Sequence, residues 1–156
     1  MKITVCALGK LKSSPELDLV KSYQELFMTH GKRIGLGPVV VHEIDNKKTK
    51  GISDESKRIR IKISQNNHSI LCDERGKEHT SIKFSELIIH LRNKNIQKLL
   101  FVIGGANGVE PALREEVDQV ISFGKMVWPH MLVRVMLMEQ LYRASAILLG
   151  TPYHRE

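Results

Sequence analysis

The run Lys98–Ile103, KLLFVI, passes directly into Gly104, Gly105, Ala106, Asn107 and Gly108, and this limits the possible folds more than any other feature of the chain. After Lys98 there is no polar face, which is the pattern of a strand buried on both sides in a parallel sheet covered by helices. Parallel neighbours need crossover connections, usually helical. The rest of the sequence supplies them. Lys2–Leu8 alternates Ile3, Val5 and Ala7 as a strand, and Val39–Ile44 is rich in β-branched residues. Ser14 before Pro15 and Glu16 marks a helix start, with Leu19, Val20, Tyr23, Leu26 and Phe27 in helical register until Gly31. Residues 57–64 fit either period; the acidic turn at Asp54 and Glu55, with Ser53 as cap, favours a helix. Residues 69–72 form a further strand ended by Asp73, Glu74, Arg75 and Gly76, and Ser81 opens a helix through Phe84, Leu87, Ile88 and Leu91. Pro111 is expected to start another, carrying Leu113, Val117 and Val120. The alternation specifies an α/β fold with a mostly parallel sheet flanked by helices, in one domain over residues 1–156.

The C-terminal part adds a second constraint. From 131 to 149, apolar residues including Leu132, Val133, Val135, Met136, Leu137, Met138, Leu141, Tyr142 and Leu148 wrap most of a helix, with Pro129 placed for its first turn. Glu139 and Arg143 form an i, i+4 pair on the narrow polar strip. A helix apolar nearly all round must be covered on several sides. Either it is the central core helix of a monomer or one side meets a second copy, and the expectation is a two-fold dimer.

No apolar run reaches the ~20 residues of a membrane span, and the N-terminus lacks a signal peptide's apolar region, so a cytoplasmic protein is expected. Cys6 and Cys72 lie in predicted strands without metal-ligand spacing and suit small buried positions in a reducing compartment. No serine-histidine-acid spacing, His-x-x-x-His pair or Cys-x-x-Cys is present, which leaves hydrolase and metal chemistry without a specific motif. The net charge of +7 favours a polyanionic partner, and residues 47–62 concentrate basic side chains (Lys47, Lys48, Lys50, Lys57, Arg58, Arg60, Lys62), a candidate RNA-facing segment or a solvated helix face.

In a parallel sheet the loops after residues 72, 103 and 123 converge on one edge and define a pocket. Its glycines are spaced G-G-x-x-G, neither the dinucleotide fingerprint nor a phosphate loop. Gly124, Met126, Val127, Trp128 and Pro129 offer an apolar wall, suited to an adenine ring and a sulfonium without phosphates. His130 beside Pro129, and the terminal Tyr153, His154 and Arg155, are the candidate acid/base and orienting groups.

Six ordered blocks carry a resemblance: VCALGKLK near the start, LCDERGK at 71–77, FVIGGANG at 101–108, SFGKMVWPH at 122–130, LVRVMLMEQLYRA at 132–144 and PYHRE at 152–156. Across nearly its full length the chain resembles the SPOUT-class methyltransferases that modify N3 of a pseudouridine in large-subunit ribosomal RNA. The resemblance implies a homodimer, S-adenosyl-L-methionine as methyl donor and a C-terminal trefoil knot. A knot opposes the general rule for protein chains, and only the family suggests it. Carried over by position, cofactor contacts fall on Cys72, Gly104, Gly105, Gly124, Lys125, Met126, Val127, Trp128 and Pro129, with His130, Tyr153, His154 and Arg155 at the substrate. Cys72 replaces a frequent leucine and Val127 a frequent threonine, which puts one side-chain contact in doubt. So small a protein has little surface for reading RNA sequence, so a pre-shaped site in an assembled ribosome is the expected substrate. The rival readings are a non-catalytic basic dimer that holds ribosomal RNA and a flavodoxin-like small-molecule binder.

Overall fold

The computed structural model describes residues 1–155; Glu156, the last residue of the PYHRE block, lies outside them. Five strands form one sheet: β1 (Lys2–Leu8), β2 (Val39–Ile44), β3 (His68–Glu78), β4 (Lys98–Ile103) and β5 (Gln119–Ser122), in the order β2-β1-β4-β3-β5. Every neighbouring pair is parallel. The central β4 is buried from Leu99 to Ile103, as its unbroken apolar run requires.

Side chains of successive strand residues leave on opposite faces, and this divides the core in two. Ile3, Val5, Leu99, Phe101 and Ile103 face the layer made by α1 (Pro15–Arg33), α3 (Ser81–Asn93) and α5 (His130–Leu149). Cys6, Leu8, Leu100 and Val102 face α2 (Ile52–Ser64) and the single turn α4 (Leu113–Glu116). α5 lies against α1 and α3 and buries Leu137, Met138, Leu141, Tyr142 and Ala146. Met131 and Leu132 at its start stay more than a third exposed.

The helix starts are set by local chemistry. Ser14 caps α1 by accepting from the Leu17 N–H, and the Thr80 hydroxyl caps α3 by accepting from Lys83. Ser81 is therefore the first helical residue and not the cap. α2 is a helix, but Gly51 occupies its cap position and Ser53 lies inside the first turn. Pro129 sits just before α5, where its carbonyl accepts from the Leu132 and Val133 N–H groups. α1 continues past Gly31 to Arg33 and closes when the Gly31 carbonyl accepts from Ile34 and Leu36.

The expected helix from Pro111 through Val120 does not form; only Leu113–Glu116 is helical, and residues 119–122 are the edge strand β5. The β-branched Val117, Val120 and Ile121 suit extended backbone. Asp118 fixes it there, its carboxylate accepting from the Ser69 N–H (2.7 Å) and hydroxyl (2.8 Å) of β3. β3 likewise outruns its expected end. Cys72 and Lys77 both register with Ile121, so residues 73–76 bulge out of the ladder between them. The return after the bulge needs Gly76, because a methyl group there would lie 2.5 Å from the Ile121 carbonyl carbon.

Candidate active site

The bulge of β3, the glycine loop after β4 and the 123–129 loop after β5 surround a cavity of about 630 Å³ at the carboxyl edge of the sheet. Its wall includes Cys72, Gly104, Gly105, Gly124, Met126, Val127, Trp128, Pro129 and His130. Lys125 projects from the same loop but is exposed and not part of the wall. Met126 and Val127 are 69% and 82% exposed, large apolar groups held in solvent at the cavity mouth. The Ser122 hydroxyl ties the base of this loop by donating to the Gly124 carbonyl (2.6 Å) and accepting from its N–H (3.1 Å).

The charges of the wall are one-sided. No lysine or arginine lines the cavity, whereas Asp73 and Glu74 do. Asp73 is held by Arg114 at 2.8 Å and accepts from the Arg75 N–H, which fixes the bulge. Burial pushes the Cys72 thiol up to about 12, so it remains protonated and is a packing group, not a nucleophile. Glu74 in turn lies 3.7 Å from Arg75, so both carboxylates are offset; with no lysine or arginine in the lining, the cavity has no clamp for a polyphosphate.

His130 opens α5 between this cavity and the end of β1. Gly9 marks the contact: a methyl group there would lie 3.5 Å from His130 Nε2, 3.6 Å from Arg134 Nη2 and 3.8 Å from Asn46 Nδ2. Burial, followed by the charge of Arg134, lowers the histidine's pKa below its ordinary value, so His130 is neutral near pH 7 and has a free acceptor nitrogen. Arg134 is only 2% exposed. It donates to the carbonyls of Leu8 and Gly9 (2.8 Å to the latter) and to Glu43 Oε1 at 2.9 Å, while the same carboxylate oxygen accepts from the Leu11 N–H. No motif in the sequence points to Arg134 or Glu43. The available signal was an arginine inside LVRVML, since a charge amid core residues needs a buried partner.

The tail residues lie elsewhere in the chain. Tyr153 packs on Tyr142 with ring centroids 4.5 Å apart, lies 4.7 Å beneath the Arg143 guanidinium and donates its hydroxyl to Glu139 at 3.0 Å. Burial, then the neighbouring Tyr23 hydroxyl and the Glu139 carboxylate raise its pKa, so the phenol keeps its proton. Arg143 joins Glu139 and also donates to His154 Nδ1 at 3.3 Å; Arg155 is exposed. The tail thus folds back beside Glu139 and Arg143, roughly 14–20 Å along α5 from His130. Tyr153, His154 and Arg155 do not line the cavity, so one chain does not bring them together with His130 there.

A wholly parallel sheet, with a largely apolar cavity at its carboxyl edge and a neutral histidine on the rim, is the architecture of an α/β protein with its ligand site where such sheets carry one. Comparison with known proteins narrows this class: the model of a family described as a predicted SPOUT methyltransferase matches residues 1–154, and the chain belongs to that family. Proteins named ribosomal RNA large subunit methyltransferase H are similar to it from end to end. That of Ruegeria sp. (strain TM1040) is 46% identical over 155 residues, covering 99% of both chains. That of Phenylobacterium zucineum (strain HLK1) is 45% identical over 156 residues, covering all of both. A solved structure, a probable methylase family protein from Haemophilus influenzae Rd KW20, shares the fold with a TM-score of 0.57 at 10% identity over 99% of this chain and 70% of that one.

Proposed function

We propose that this protein transfers a methyl group from S-adenosyl-L-methionine to N3 of a pseudouridine in large-subunit ribosomal RNA. The observation that carries the proposal is the cavity beside His130, walled by apolar groups and carboxylates without a cation, in a chain similar over its whole length to relatives named for ribosomal RNA methylation. The residues present fit the cofactor. Met126, Val127 and Trp128 supply apolar surface for the adenine and thioether parts, Gly104, Gly105 and Gly124 supply backbone hydrogen-bonding groups, and no lysine or arginine of the lining opposes a sulfonium. Bound there, the cofactor supplies an electrophilic methyl on its sulfonium.

The chain's own contribution is positioning, water exclusion and removal of one proton. His130, neutral at pH 7, accepts the imide proton of the base as N3 forms its new bond. Tyr153, His154 and Arg155 orient the base, with the arginine offsetting the negative charge that develops on it. They act on a partner's cavity. Two features support a homodimer: the chain's own tail lies against Glu139 and Arg143, roughly 14–20 Å along α5 from His130 and outside the cavity lining, and the apolar side chains Met131, Leu132, Val135 and Met136 on α5 are part-exposed. The trefoil knot at the C-terminus, the cytoplasmic location and the assembled ribosome as substrate belong to the same reading and rest on the family. Labelled methyl from S-adenosyl-L-methionine should enter purified ribosomes lacking the modification at a single pseudouridine, and His154→Ala should abolish it. Cofactor binding without incorporation would point to another substrate. With neither, the non-catalytic RNA-binding reading would replace this one.

A further inference from the structure

We infer that the loops after β1 and β2 form the phosphate-binding footprint that holds RNA beside His130; the inference rests on the function proposed above. Residues 10–12 and 45–50 carry five lysines, Lys10, Lys12, Lys47, Lys48 and Lys50, against one acidic residue, Asp45. All five lysines are exposed, and only Lys10 has a carboxylate partner, Asp45 at 3.4 Å, among the described residues. Asn46 meets His130 around Gly9, and β1 and β2 lie across β4 from β3 in the sheet, so these loops lie next to His130 on the side away from the bulge of β3, outside the cavity lining itself. The side beside Gly9 is strongly basic, whereas Asp73 and Glu74 are offset by Arg114 and Arg75. A polyanion that presents a base to His130 is drawn to the basic side.

The loop is also built to hold its shape. Thr49 shares its one hydroxyl proton between the Asn46 carbonyl (2.7 Å) and Glu55 (3.0 Å), Asp45 accepts from the Lys47 N–H, Asp54 from the Lys50 N–H, and Arg58 donates to the Lys48 carbonyl at 2.8 Å. These bonds fix the backbone and leave Lys47, Lys48 and Lys50 projecting, so little ordering cost falls on binding. The structure thereby divides the basic run of the sequence. Arg58 and Arg60 are engaged within the protein, Arg60 by Glu110 at 3.0 Å and Glu116 at 2.7 Å, whereas Lys47, Lys48 and Lys50 of the loop, with Lys57 of α2, are exposed without a carboxylate partner among the described residues.

The test measures binding to ribosomes lacking the modification between about 50 and 200 mM salt, for the wild type and two charge-matched variants. One is Lys47→Ala/Lys48→Ala/Lys50→Ala. The other, Lys2→Ala/Lys94→Ala/Lys98→Ala, removes three exposed lysines away from the cavity edge of the sheet. Each lost phosphate contact lowers the slope of log K against log salt by ~0.7, so the loop variant should lose about 2 from the slope and roughly 50-fold in affinity near 0.15 M. The second variant should retain the wild-type slope, as should Lys47→Arg/Lys48→Arg/Lys50→Arg. Cofactor affinity should be unchanged in all three. Equal losses in both alanine variants, or an unchanged slope in the loop variant, would overturn the footprint while leaving methyl transfer by the wild type intact. A selective loss in a protein that transfers no methyl would support the footprint and overturn the proposed reaction instead.

Discussion

Replacing Arg134 by methionine tests how the active-site end of α5 is anchored. The guanidinium is buried and bridges the carbonyls of Leu8 and Gly9 to Glu43, joining the helix to the ends of β1 and β2. Methionine matches much of its volume but donates nothing. Two carbonyls and a carboxylate then lose their donor, and breaking a buried pair in this way costs about 3–5 kcal/mol. Glu43 keeps its bond from the Leu11 N–H and is 26% exposed, so water takes over part of the loss and the lower end, ~3 kcal/mol, is expected. At 2–4 °C per kcal/mol for a chain of this length, the melting temperature should fall by roughly 6–12 °C. Urea denaturation gives the free energy directly. Glu43→Gln/Arg134→Met removes the stranded charge and should recover about 1 kcal/mol relative to additivity. An Arg134→Met protein within ~0.5 kcal/mol of the wild type, the range of an inconsequential surface change, would refute the anchoring argument.

Two other predictions concern the pocket. Gly76→Ala forces a methyl group onto the Ile121 backbone, so β5 must shift; a destabilisation of about 1–3 kcal/mol in denaturant is expected, with faster amide exchange at Ile121 and Ser122. His130 and His42 both have pKa values lowered in the folded chain, chiefly by burial. The unfolded chain therefore takes up protons first: their contribution to stability is full above the ordinary histidine value of ~6.5 and is lost as pH falls through the folded values. The activity assigned to His130 should persist somewhat below pH 6.5 and then decline, and His130→Asn should remove this acid limb together with most of the activity while cofactor affinity changes little.

The parts of the fold that sequence revealed are those where one pattern is strong. β4 could only be a doubly buried strand, and the glycines after it could only be a turn, so the pocket's sheet edge followed from KLLFVIGG. β5 was hidden because Val117 and Val120 also suit a helical period; the deciding contact, Asp118 with Ser69, spans 49 residues and has no local signature. The bulge at 73–76 has the same character, since its need for glycine comes from Ile121 on another strand. In the site, residue types named the pocket wall but not its charges: that Arg114 fastens Asp73, that Arg134 holds Glu43, and that Arg58 and Arg60 are engaged internally are facts of three-dimensional pairing.

The same pairing carries the last prediction. If His130 and the tail serve one reaction from different chains of a dimer, two damaged chains can repair each other. A His130→Asn chain keeps its tail, and a chain ending at Thr151 keeps His130. In a randomly mixed two-fold dimer population half the dimers are hybrids, and each hybrid holds one cavity with an intact histidine facing an intact tail. About one quarter of wild-type activity should return, although each variant alone is inactive. A tail that folds back onto its own cavity gives no hybrid with both groups at one site, and mixing would restore nothing. Size-exclusion chromatography under the same conditions separates failure to exchange subunits from failure to complement. Hybrid dimers without recovered methyl transfer would refute a site shared between chains.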